Sequence, residues 1–122
     1  MALYRGVPYE YSAVFGGLVF TAGACPLDAD GRVVAPGDHE TQASKCVDNL
    51  LAALAERGAL PGHVLKTTIF VVADSREDLV AVWAVVEARL GRIPSTLLGV
   101  SLLGYPDQLV EIEAIAAIRA HA

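Results

Sequence analysis

The stretch VLKTTIFVV (Val64–Val72) decides the fold. It is rich in β-branched residues and reads as a strand. Helical periodicity flanks it on both sides. Upstream, Asp38 suits an N-cap and Glu40 the first turn of a helix. Ala43, Cys46, Val47, Leu50 and Leu54 then recur at helical spacing, and Gly58 supplies the stop. Downstream, Ser75 with Asp78 three residues later resembles a capping box. Leu79, Val82, Trp83, Val86 and Leu90 repeat the helical spacing, and Gly91 ends the helix. Each helix carries a single apolar stripe, so each covers something on one side only. Two such helices on one face of a sheet make a two-layer α+β sandwich.

The remaining strands follow from alternation and turn chemistry. Leu18 to Ala24 reads as a strand, and a turn rich in Pro, Asp and Gly follows it. RVVA (32–35), STLLGVSLL (95–103) and QLVEIEAIAAI (108–118) read as three more, with an extra strand around Leu3 to Arg5. The order is β-β-α-β-α-β-β, in a mixed sheet of about six strands. These strands are apolar on both sides. Leu98, Val100 and Leu102 oppose Leu97 and Leu103, while Val64, Phe70 and Val72 oppose Leu65, Ile69 and Val71. Two helices cannot cover both faces, so the second face implies a homo-oligomer.

Composition narrows the function classes. The chain has 122 residues and fits one domain, 1–122, long enough to bury a core without disulfides or a structural metal. Hydrophobic residues make up 54%, yet no apolar run approaches the roughly 20 residues of a membrane span. No signal peptide is read at the start. Two cysteines make no disulfide framework, which points to a cytoplasmic protein with reduced thiols. A net charge of −5, with only Lys45 and Lys66 as lysines, argues against a nucleic-acid partner.

Taken in order, GGLVFTAGACPLDADG, QASKCVDNLLAALAERG, VLKTTIFV and LVEIEAIA resemble the Rid family: reactive intermediate deaminase-like, YjgF-like proteins, also called endoribonuclease L-PSP-like. The resemblance runs from about Pro8 to Ile118. It implies a chorismate-mutase-like α+β fold and a homotrimer with three small-molecule clefts between subunits. It also implies a hydrolase that converts enamines and imines to 2-keto acids and ammonia. Tyr9 matches a cleft tyrosine, Gly23 a glycine lining the cleft, and Glu111 the acidic residue that handles water or a proton. Ser95 and Thr96 match the pair that follows the substrate-gripping arginine, and Thr96 stands where members carry Cys or Thr. Ala22 replaces a usual serine, and Trp83 a frequent asparagine. The main departure is Pro94, which stands where active deaminases carry that arginine.

The chemistry explains why this matters. An imine hydrolase acting on amino-acid-derived acids needs a cation for the carboxylate, a general acid/base, and donors that fix the substrate. Pro94 supplies neither cation nor backbone donor. Arg92, two residues earlier, reads as a cation at a helix end. Its alternative role is a substitute site cation, with Arg5 or Arg119 of a neighbouring subunit next in line. Glu111 and Glu113 stand two apart on a strand, on one face, about 6.5–7 Å apart. On spacing alone, a solvated face or an inter-subunit polar contact explains them better than a catalytic pair. Cys25 lacks a partner histidine and reads as buried and inert, and Cys46 as core. His39, His63 and His121 have no metal-ligand spacing, so neither a metal nor another cofactor is expected; surface roles suffice for His39 and His121. Three readings follow: a Rid-type imine hydrolase of altered specificity, a non-catalytic trimeric binding or chaperone-like protein, and, weakest, a ribonuclease.

Overall fold

The computed structural model describes residues 2–118. Arg119 and His121 lie outside the described residues. Five strands and two helices occur in the order β1 (Ser12–Phe15), β2 (Leu18–Thr21), α1 (His39–Ala55), β3 (Val64–Val72), α2 (Arg76–Leu90), β4 (Ser95–Val100) and β5 (Val110–Ala117). They form one sheet ordered β1-β2-β5-β3-β4. β3 and β4 run parallel, joined by α2, and the other neighbours are antiparallel.

Both helices lie on one face of this sheet. Leu50, Leu54, Val47 and Cys46 of α1 pack with Val82 and Val86 of α2 over Val19, Ile69, Val71, Val110 and Ile112. Asp38 caps α1, its carboxylate accepting from the Thr41 N–H at 3.0 Å. At the other end the Ala59 N–H donates to the Leu54 carbonyl and the Gly58 N–H to that of Ala55, so Gly58 is the stop. Ser75 sits at the N-cap of α2, but its hydroxyl makes no capping bond. Asp78 reaches back to the Asp74 N–H at 3.1 Å instead.

The sheet has five strands, not six. The expected order of elements stands, and the strand read at Leu18 to Ala24 is found, shortened, as β2, but its hairpin partner is the unexpected β1 rather than RVVA. β1 and β2 form a hairpin closed by Gly16 and Gly17, with Phe15 opposite Leu18. A φ of +59° at Gly16 suits the first central position of a tight hairpin turn. RVVA is no strand. Val33 makes a single bridge to Leu27 across a turn in which the Asp28 carboxylate accepts from the Asp30 and Arg32 N–H groups, both at 2.9 Å. Leu3 is buried in an irregular segment rather than a strand. β4 ends at Val100, and 101–109 is a loop. A bulge between Val64 and Lys66 breaks the strict alternation of β3. Val64 and Ile69 therefore both face the helices, although odd and even positions would separate them.

The opposite face of the sheet is open. Cross-strand pairs place Phe20 beside Ile115, and Phe70 between Glu111 and Leu98, on that side. Phe20 and Leu98 remain 41% and 43% exposed, consistent with a face that a single chain leaves uncovered.

Candidate functional site

Tyr9, Ala22, Gly23, Cys25, Gly104, Tyr105 and Glu111 line one hollow of about 250 Å³ at the end of the sheet. Three of the sequence-predicted site residues, Tyr9, Gly23 and Glu111, thus come together. β5 carries Glu111 opposite Phe70, on the open face. The chain after β2 passes the same end of β5, held by paired bonds between the Ala24 and Ile112 backbones at 2.7 and 3.1 Å. This bridge sets Gly23 directly against the Glu111 side chain. A Cβ on Gly23 would lie 2.6 Å from Glu111 Cγ, so no other residue type leaves room for the carboxylate where it stands.

Glu111 is held on one side only. Its Oε1 accepts from the Gln108 amide nitrogen at 3.2 Å and from the Cys25 thiol at 3.4 Å. Burial, then the nearby Glu111 charge, pushes the Cys25 thiol up to about 12. It stays a protonated donor rather than a nucleophile. The thiol is buried as expected, but it belongs to the site. Across the hollow the Tyr9 hydroxyl lies 3.4 Å from that of Tyr105. Burial, with the Tyr105 hydrogen bond, raises the Tyr9 phenol above its ordinary value, so it too remains a donor. The Tyr9 ring meets Tyr11 edge-on, with centroids 6.0 Å apart.

Ser95 and Thr96 do not line this hollow. Both lie on the edge strand β4. Ser95 turns to the helix side, its Oγ 2.7 Å from Thr67 Oγ1. Thr96 lies on the open face and accepts from Lys66 Nζ at 3.0 Å. Glu113 shares the face of Glu111 but lines a separate hollow with Lys66, Thr68 and Phe20. The Pro94 carbonyl accepts from the Thr67 N–H at 3.0 Å, so this residue begins the β3–β4 pairing. Arg92 is exposed beyond the end of α2 and forms no ion pair among the described residues. Arg5 is paired with Glu56. His39 does more than face solvent. Its Nε2 bonds the Val72 carbonyl at 2.7 Å and ties α1 to β3.

Sequence reasoning missed Gln108 and Tyr105, which belong to the loop 101–109. That loop is fastened to α1 by Gln42, fully buried in the first turns of the helix. The Gln42 amide nitrogen donates to the Asp107 carbonyl at 2.9 Å and that of Ala35 at 3.3 Å, and its oxygen accepts from the Leu109 N–H at 2.7 Å. Ala35 and Asp107 are the two non-glycine residues with positive φ among the described residues. A polar residue on an otherwise apolar helix face was the available signal.

A broader hollow runs along α1 beside Leu51 and Arg89, but Arg89 is already bonded to Asp48 at 2.6 Å. No group of three potential metal ligands occurs among the described residues, and no described helix is long and apolar enough to cross a membrane.

Comparison with known proteins matches residues 2–118 to the family described as Endoribonuclease L-PSP. The 2-iminobutanoate/2-iminopropanoate deaminase of Escherichia coli K12 is 32% identical over 116 residues, covering 92% of this chain and 88% of that one. A RutC family protein of Pyrococcus abyssi is 29% identical over 110 residues, covering 89% and 85%. The crystal structure of the Escherichia coli YjgF gene product superposes with a TM-score of 0.79 at 32% identity, covering 94% of this chain and 91% of the other.

Proposed function

Because the chain belongs to the endoribonuclease L-PSP family of Rid or YjgF-like proteins, we propose that it hydrolyses a small imine or enamine, with a specificity altered from that of the named deaminases. The observation that carries this reading is the convergence of Tyr9, Gly23 and Glu111 on one hollow. Water adds to the C=N carbon, Glu111 takes its proton and passes it to nitrogen, and the proton of the resulting carbinolamine hydroxyl follows by the same route as the C–N bond breaks. Ammonia leaves and a carbonyl remains. Tyr9, kept protonated, donates to the substrate. The hollow is completed between subunits of a homotrimer, where Thr96, on the open face of β4, binds substrate at the same cleft while Ser95, turned to the helix side, only anchors the strand. The open apolar sheet face is the surface available for that assembly. The free thiols of Cys25 and Cys46 suit the cytoplasm.

Specificity follows from charge. Glu111 is the single charged residue among those lining the hollow, and Pro94 stands where the carboxylate-gripping arginine is expected. A 2-imino acid would bring an anion beside Glu111 with no partner to offset its desolvation. The same features favour, as a second reading, a trimer that binds a small molecule without turning it over. The net charge of −5 makes RNA the least suitable substrate.

The test compares two imines generated in situ and followed by semicarbazide trapping. One is 2-iminopropanoate, and the other is propan-2-imine, its analogue with methyl in place of carboxylate. Turnover of propan-2-imine that Glu111→Ala abolishes is the expected result. Activity on 2-iminopropanoate should be about a hundredfold or more below that of an arginine-containing relative. Equal activity on that anion would overturn the altered specificity. No turnover of either would leave the binding protein.

A further inference from the structure

The two oxygens of Glu111 are not equivalent. Oε1 receives both donors, the Gln108 amide at 3.2 Å and the Cys25 thiol at 3.4 Å. Oε2 receives none among the described residues and lies closest to Gly23, on the wall of the hollow. The Gln108 amide is itself fully engaged. Its oxygen accepts from the Tyr105 N–H at 3.1 Å, and its nitrogen also donates to the Val110 carbonyl at 3.0 Å. A flipped amide would set its oxygen against a carbonyl and a carboxylate, so the orientation is unambiguous. Gln108 is buried, with 4% of its surface exposed.

We infer that Gln108, assisted by Cys25, is a positioning residue that saturates Glu111 Oε1 and reserves Oε2 for the ligand. This rests on the hydrolase reading for its catalytic meaning, but not for its geometry. A carboxylate with both oxygens free could rotate about its last bond and present either. Here one lone-pair set is occupied, and the remaining oxygen is held beside Gly23, which lines the hollow with it. The Tyr105 backbone holds the Gln108 oxygen while the Tyr105 side chain faces Tyr9. One short loop therefore sets both the donor side and the acid/base side of the cavity.

The test has a structural arm and a kinetic arm. In protein labelled with [13C]glutamate, the Glu111 carboxyl resonance is identified by its loss in Glu111→Gln. Gln108→Met removes the donor at similar length, and Cys25→Ser retains one at position 25. Gln108→Met should shift and broaden the Glu111 resonance, and Cys25→Ser should leave it sharp. An unmoved resonance in folded Gln108→Met overturns the proposal. Should Gln108→Met not fold, Cys25→Ala takes its place, with a smaller displacement expected and an unmoved signal again decisive. On whichever imine is turned over, Gln108→Met should lower kcat between about ten- and a hundredfold, with KM nearly constant. In the Glu111→Ala background the stability it costs in denaturant titration should be smaller than in the wild type. An equal loss in both backgrounds would mark Gln108 as merely structural and overturn the proposal. Absence of any turnover removes the hydrolase reading alone, and the resonance still decides the positioning role.

Discussion

Gly23→Ala puts the site geometry under a direct load. The new Cβ would stand 2.5 Å from Glu111 Cδ and 2.6 Å from Cγ, against ordinary carbon contacts of about 3.5–4.0 Å. The carboxylate must retreat by about an ångström. Because it is the end of a flexible side chain, the backbone survives, but Oε1 leaves Gln108 and Cys25. Losing hydrogen bonds to a charged acceptor costs about 1.5–3 kcal/mol. The φ of Gly23 is not in the left-handed region, so alanine there restricts the unfolded chain and returns about 0.4–1 kcal/mol. The net expectation is a loss of about 0.5–2.6 kcal/mol in urea denaturation. Turnover should fall about a hundredfold, since a misplacement of that size suffices. The same substitution in a Glu111→Ala background has little left to displace. There it should be neutral or stabilising by about 0.4–1 kcal/mol. A loss of equal size in both backgrounds would refute the reasoning, because the strain would then lie in the backbone and not in the carboxylate.

Other expectations follow from the same structure. Burial raises both thiols and the Tyr9 phenol, so the folded state holds protons that the unfolded chain releases. Stability should be fully present below about pH 9 and decline as pH rises toward 12, with a shallower decline in Cys25→Ala, as read by denaturant titration across pH. Light scattering at micromolar concentration should report a trimer, and Phe20→Asp on the open face should lower the mass. A stable wild-type monomer would remove the shared cleft. Arg92→Ala should cost well under about 1 kcal/mol and leave ligand affinity unchanged. A large loss of affinity at unchanged fold would identify Arg92 as the substitute cation.

The helices and the central strand were legible because long-range periodicity and caps point the same way. Asp38, Gly58 and Gly91 all end helices where the sequence puts them. β2 was legible within Leu18 to Ala24, but its partner strand was not, for a local reason. β1 is four residues long and mostly exposed, and the hairpin signal of Gly16-Gly17 between apolar pairs is the mark it leaves. RVVA has strand composition, but the Asp28 carboxylate holds its neighbours in a turn that propensity does not register. The bulge in β3 leaves no mark in a β-branched run. At the site, Tyr9, Gly23 and Glu111 were legible through motif resemblance. Gln108 and Cys25 were not, because their importance lies in donors brought across 86 and 3 residues onto one oxygen.

The bonds from Gln42 separate the loop between β4 and β5 into two parts with different tolerance for length change. Asp107 and Leu109 are tethered to α1, and Tyr105 to Gln108, so the stem that feeds β5 keeps its register whatever precedes it. Ser101 to Leu103 hang between this stem and the end of β4, with Ser101 and Leu102 exposed. Residues inserted or deleted there would reshape the rim beside Tyr105 without moving Glu111, since longer surface loops carry only a small entropic cost. That segment is therefore where a library of loop lengths could vary access to the hollow on an otherwise constant frame.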